Sequence, residues 1–198
     1  YDPLDVYLQT YAGELDLVDL SLLPKDMMLK DGILDITGPI NWQEARAFTQ
    51  SEGREILTSP TEELASMLAG IATSATGERC FGFGSLRDQV LKLEYLDGQG
   101  KKHLLRHDRL LINRPEFQES KVKSILEHYQ QSYHSYQNFK NAPFPRFEKE
   151  TDLMTVTEGQ LGVIIRASFL TRPSTESTFL FLLLPKWEED YSQHLTIF

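Results

Sequence analysis

At 198 residues, with 40% hydrophobic and 25% charged side chains, the chain has the length and composition of one globular domain rather than a disordered segment. Its 20 Lys and Arg against 29 Asp and Glu leave a formal net charge of −9, which argues against a nucleic-acid backbone or an anionic membrane surface as partner. The single cysteine, Cys80, excludes an internal disulfide and fits a reducing compartment.

The N-terminal residues are acidic and aromatic, unlike the basic-then-apolar pattern of a signal peptide. The longest apolar run, Phe179 to Leu184, falls far short of the roughly 20 residues that cross a bilayer. No membrane span and a cytoplasmic location are therefore expected.

In chain order, alternation predicts a strand over Leu15 to Leu20 and another over Gly32 to Thr37, which Gly38-Pro39 stops. Asn41 with Glu44 three residues later spells a capping box, opening a helix with Trp42, Ala45 and Phe48 on one face and Gly53 as its stop. A second helix is expected from Ser59 as cap, with Pro60 at its first position and Glu62 reaching back, running through Leu64, Met67, Leu68 and Ile71. Gly77 to Gly84 is glycine-rich and aperiodic. Val90 to Leu96 then alternates as a strand, Asp97-Gly98 signals a tight turn, and Lys101 to Arg106 returns as the second arm of a hairpin.

From Glu116 to about Phe139 the apolar and tyrosine positions take a three-and-four step, which predicts a helix. A loop rich in Pro and aromatics (Pro143 to Phe147) ends it, and strands follow at Leu161 to Leu170 and Thr178 to Leu184. Strands and helices mix without a βαβ beat, so the fold class is α+β.

Three segments stand apart from generic core. They are Ile71 to Arg79, a run of small residues leaving a buried helix; Phe83 to Leu91, leading into the hairpin; and Thr157 to Ile164, with two glycines flanking a strand start. Small residues and glycines let backbone approach a flat rigid molecule, and free N–H groups there can bond carbonyls or phosphates. The same glycines also serve tight turns and close helix packing, and spacing alone favours that plainer use.

Together these runs resemble the FAD-binding domain of the vanillyl-alcohol oxidase and p-cresol methylhydroxylase family. That family carries a V-L-D-L-S strand, A-T-I-G-G-N-I-A-T-N-A-G-G, R-Y-G-T-x-R-D-x-V-L, a D-G hairpin and S-E-G-T-L-G-I-I-T-E-A. The corresponding runs are Leu17 to Ser21, Ala65 to Gly77, Phe83 to Leu91, Asp97-Gly98 and Thr157 to Ala167, in the same order over roughly residues 15 to 170. The resemblance implies an α+β domain with a mixed or antiparallel sheet and flanking helices, incomplete at both ends, and FAD as cofactor. Ala72, Thr73, Ser74, Gly77 and Gly84 would lie along the flavin, the turn at Glu158-Gly159 would touch the cofactor on its adenine side or its ring side, and Val163 and Ile164 would continue beneath it.

Three departures accompany the likeness. No glycine-rich pyrophosphate loop occurs in Tyr1 to Glu14. The family's paired glycines are Leu68 and Ala69 here, and the helix at about 114–140 reads as an insertion. The implied organisation is a partial FAD-binding domain over 1–171 and the start of a substrate or cap region over 172–198. The implied activity is hydride transfer from a small hydroxy-acid or alcohol to flavin, with the catalytic base in a substrate domain or subunit outside this chain. The alternative is a non-catalytic module that kept the fold without the cofactor.

Other chemistry is weaker in the sequence. The five histidines show no metal-ligand spacing beyond the loose His103/His107 pair, so no metal site is expected. Cys80 reads as a small buried thiol. Ser21, Ser59 and Ser85 lack a His and Asp arrangement. Arg87 and Asp88 read as an ion pair with each other or a brace for their loop, and Tyr129, Tyr133 and Tyr136 as a half-buried packing face.

Overall fold

A computed structural model describes residues 19–119, 148–155 and 157–175, together with scattered positions between 121 and 131. Six strands form one sheet: β1 (Asp26–Lys30), β2 (Ile33–Thr37), β3 (Arg54–Ile56), β4 (Val90–Leu96), β5 (Lys102–Arg106) and β6 (Val163–Pro173). The order is β1-β2-β6-β4-β5, with β3 pairing the far end of β6, and every registered pair is antiparallel. β6 is the spine, bonded to β2 along one edge and to β4 along the other.

The period of two decides the faces. Leu34 and Ile36 of β2, Leu93 of β4, Leu105 of β5, and Ala167 and Phe169 of β6 point to one side and are all but fully buried. Two helices cover that side, α1 (Trp42–Ser51) and α2 (Met67–Ala72), through Trp42, Ala45, Met67, Leu68 and Ile71. The other face carries a polar row. Asp35 and Lys92 flank Ser168, whose hydroxyl donates to Asp35, and Lys92 Nζ stands 3.8 Å from Asp35 Oδ1.

Local signals account for two elements well. Asn41 Oδ1 accepts from Glu44 N at 2.8 Å while Glu44 Oε2 accepts from Asn41 N at 3.0 Å, so the expected capping box opens α1. Gly53 then takes φ +66°, the left-handed conformation that ends a helix cheaply only in glycine. The β4–β5 hairpin forms as expected, with Asp97 Oδ1 accepting from Gln99 N and Lys101 N, each at 2.9 Å.

One strand adds to the expected elements and one expectation is corrected. β1 was not foreseen: Asp31-Gly32 is the two-residue turn of a hairpin, both residues at positive φ, and Lys30 pairs Ile33 across it. The helix expected from Ser59 begins instead at Met67, with Ser66 as its N-cap. Ser59 lies in extended chain bridged to Glu78, and its hydroxyl accepts from Arg46 Nη2 at 2.8 Å, so it has no helix to cap. Glu62 turns its carboxylate to Leu64 N at 3.0 Å, and Leu64 is exposed. The aperiodic Gly77 to Gly84 stretch contains one short turn of helix, α3 (Cys80–Phe83).

The described positions between 121 and 131 are helical. Of the strand expected over Leu15 to Leu20 only Asp19 and Leu20 are described, and neither is in a strand; the strand expected at 178–184, the tyrosine stripe, the Pro-rich loop and the missing phosphate loop fall outside the described residues.

Candidate functional site

The three segments singled out above meet at the C-terminal end of α2. Thr73 closes that helix, its N–H reaching Ala69 O, and Ser74 then turns the chain at φ +51°. Ser74 Oγ lies 3.3 Å from Ser85 Oγ, and Leu86 N donates to Ala75 O at 3.0 Å, which seats the second segment on the first. The third arrives through Glu158 N, which donates to Ala72 O at 3.1 Å. Ala72 and Ser74 are buried in this junction, while Thr73, Glu158 and Gly159 face solvent. Ser74 and Glu158 (φ +50°) are two of the four non-glycine residues at positive φ among the described residues, a strained conformation held by its surroundings.

The glycines divide into two kinds. A side chain at Gly77 would strike the Ser59 carbonyl, and one at Gly84 (φ +78°) would strike the Asp88 carboxylate. Both glycines thus serve close approaches within the chain: Gly77 the bridge at Ser59, Gly84 the turn in which Asp88 Oδ2 accepts from Ser85 N at 3.0 Å. Gly159 (φ +79°) has nothing within 4 Å of its would-be side chain. It alone of the three opens onto free space.

Val163 and Ile164 start β6 beside β4, opposite Leu96 and Tyr95. Val163 is exposed, whereas Ile164 is half-buried against the core, so they lie at the mouth of the turn rather than under one continuous slot. Leu68, standing where the resembled family has a glycine, is buried in the core, and Ala69 is exposed.

The sequence marks Arg87 as a brace for its loop but not the partners it braces against, Asp152 and Thr155. Arg87 is 2% exposed, and its guanidinium meets Asp152 (Nε to Oδ1, 3.7 Å) and donates through Nη2 to the Thr155 hydroxyl. Asp88 is occupied with the turn at Ser85, so Arg87's partner is on another segment. Asp152 Oδ2 also accepts from Glu148 N and Lys149 N, at 3.0 and 2.8 Å. Nearby, Glu150 accepts from Arg106 N at 3.0 Å, binding the same stretch to β5. Asp152 sits in a short 3-10 stretch, Glu150–Met154, and Thr155 closes it; nothing local marks them as partners of Arg87.

A second cluster lies on the β3 side. Glu55 bonds Arg79 Nη1 at 2.6 Å and Arg172 Nε at 2.5 Å, and Arg172 stacks over Phe83, 4.6 Å from its centroid. Burial alone would raise the Glu55 carboxyl, but the hydrogen bonds and charges of the two arginines outweigh it and hold it low. In the hairpin, His103 Nε2 is 2.7 Å from Asp97 Oδ2, a contact that lowers the Asp97 pKa together with the turn's backbone bonds. His107 Nδ1 is 3.2 Å from Thr151 Oγ1, so the two histidines have separate partners. Among the described residues no cluster of three His, Cys, Asp or Glu could hold a metal, and no helix is long and apolar enough to cross a membrane.

A shallow depression of about 520 Å³ lies on the polar sheet face, lined by Met28, Asp35, Lys92, Arg106 and others. Two of its charged side chains are paired within it, Asp35 with Lys92 and with the Ser168 hydroxyl, and Arg106 with Asp108 at 2.8 Å. It is also on the opposite side of the sheet from α2, so it is not the junction described above.

The architecture is α+β, an antiparallel sheet with flanking helices, the class that the p-cresol methylhydroxylase resemblance implies. No family model matches the chain, and no curated protein matches it. Among solved structures, an alkyldihydroxyacetonephosphate synthase is similar, with a TM-score of 0.50 and 14% sequence identity over 75% of this chain. The match spans 21% of that protein's length, and at this identity the likeness is one of fold.

Proposed function

We propose that this chain is the flavin-binding portion of an FAD-dependent oxidoreductase acting on a small hydroxy-acid or alcohol. The observation that carries the reading is the Glu158 N to Ala72 O bond, which sets an open Gly159 turn against the end of α2. The family motifs of the sequence and the fold likeness support it. Residues 1–171 would be the flavin part and 172–198 the beginning of a substrate or cap region.

The chain's own groups fit the cofactor in part. Ala72, Thr73, Ser74, Glu158 and Gly159 make an edge with small side chains and turned backbone. In this reading the N–H groups of Thr76 and Gly159 would donate to a ligand's oxygen or ring nitrogen. Val163 and Ile164 would give apolar contact beside that edge. Gly77 and Gly84 are retained in this reading as supports that let the flanking loops close. A bound flavin supplies the electron sink for a hydride from substrate carbon, while the protein orients it and excludes water. The substrate's proton would go to a group outside this chain.

One observation favours the rival, a cofactor-free module of the same fold: Gly77 and Gly84 are fully explained by contacts within the chain. The two separate on purification. A flavin protein is yellow with two visible bands, and added FAD raises its melting temperature. A colourless protein with no thermal shift sinks the flavin reading. Gly159→Trp should abolish flavin uptake at a fold cost of about 1 kcal/mol, set by its positive φ. Unchanged flavin content would show that this turn is away from the cofactor.

A further inference from the structure

The junction at the end of α2 is closed by single links. Glu158 N binds Ala72 O; Ser74 Oγ meets Ser85 Oγ; Leu86 N binds Ala75 O. Those links join 72–75 to each of the other two segments. The remaining side of the triangle, between 84–89 and the turn at 157–161, has Arg87 on one segment and, on the stretch that leads into the turn, Asp152 and Thr155.

The Thr155 hydroxyl is engaged both as donor and as acceptor. It donates its one hydrogen to Asp152 O at 2.9 Å and accepts from Arg87 Nη2. Thr155 lies two residues before Thr157, whose own hydroxyl donates to Met154 O at 3.0 Å and starts the turn. All three clamp residues are at most 2% exposed, so water does not substitute readily for a lost link. A planar guanidinium reaches both partners from one position, which a lysine ammonium on its flexible stem does not.

We infer that Arg87 is a positioning residue, which through Thr155 and Asp152 holds the turn at Glu158-Gly159 at one fixed distance from the end of α2. The clamp is a statement about the chain; that the edge it holds is a flavin edge rests on the proposed function. A backbone edge displaced by even an ångström loses hydrogen bonds to a rigid ligand, so the clamp sets affinity without touching the ligand.

Three variants test this in the full 198-residue chain. In Thr155→Val the acceptor for Arg87 is gone; in Thr155→Ser it is kept; in Arg87→Lys the charge remains but the fork is lost. Each is measured for FAD affinity by titration, and for amide exchange at residues 158–161 against the β4–β5 hairpin as internal reference. The expected result for Thr155→Val and Arg87→Lys is an FAD Kd at least tenfold higher and exchange at 158–161 at least tenfold faster, with the hairpin unchanged. Thr155→Ser should restore both. Where Thr155→Val fails to fold, Arg87→Lys carries the same comparison. Wild-type Kd and wild-type exchange at 158–161 in a folded Thr155→Val or Arg87→Lys protein would overturn the clamp, as would faster exchange spread evenly over the sheet. A wild-type chain that takes up no FAD sinks the flavin reading alone, and the exchange contrast still decides the clamp.

Discussion

The inner face of the sheet and the junction at the end of α2 are built on different physics. Leu34, Ile36, Leu93, Ala167 and Phe169 bury apolar surface, a non-directional stabilisation that tolerates small shifts of the backbone. Around Ala72 and Glu158 the chain is held by individual hydrogen bonds, one buried ion pair and two strained residues, Ser74 and Glu158. The core therefore supplies most of the stability, while the junction supplies geometry, and a change in one should leave a different signature from a change in the other.

The largest effect is expected in the core. Phe169→Ala should lower unfolding free energy by about 3–5 kcal/mol, because deletion of a 1% exposed aromatic leaves a cavity between β2 and β4. Denaturant melts check it, and a loss near zero would mean that β6 is not the spine. Next comes Arg87→Met, expected to cost about 3 kcal/mol by removing the cation beside the buried Asp152 carboxylate. Unlike Phe169→Ala, it should also loosen 157–161 selectively, which exchange measurements separate from global destabilisation. A Phe169-like uniform effect would erase the distinction between the two regions.

The smallest effect is that of pH on the Glu55 cluster. A carboxyl held below its unfolded value contributes stability above that value, about pH 4.3, and loses it as pH falls through the folded one. Wild type should therefore lose stability on acidification below that point more steeply than Glu55→Gln. Identical urea midpoint profiles for the two would show that the arginine pair contributes nothing measurable, as many exposed ion pairs do.

Local chemistry made some elements legible and hid others. Asn41 and Glu44 are three residues apart and bond each other, so α1 could be read from neighbours alone. Asp97 builds its own turn in the same way. Ser59 carries an equally good helix-start signal, yet tertiary structure takes its hydroxyl for Arg46 and its backbone for Glu78. β1, an edge strand with Met27, Met28 and Leu29 in succession, has no clean alternation; its one local signal is the Asp31-Gly32 pair.

At the junction the division is sharper. The small residues from Ala72 to Gly77 and the glycines near Glu158 mark segments that the fold brings together, since backbone turns and close approaches need those residue types wherever they occur. Gly84 meets the Asp88 carboxylate of its own local cap, but that Gly77 meets the backbone of residues 59–60 while Gly159 meets open space is decided only by the assembled structure. Periodicity and capping, which act between neighbours, were set by the sequence itself: the α+β class, α1 and the β4–β5 hairpin. The Arg87–Asp152 clamp and the Ala72–Glu158 bond join residues far apart in the chain. Contacts of that range have no local signature, and only the tertiary structure could bring them together.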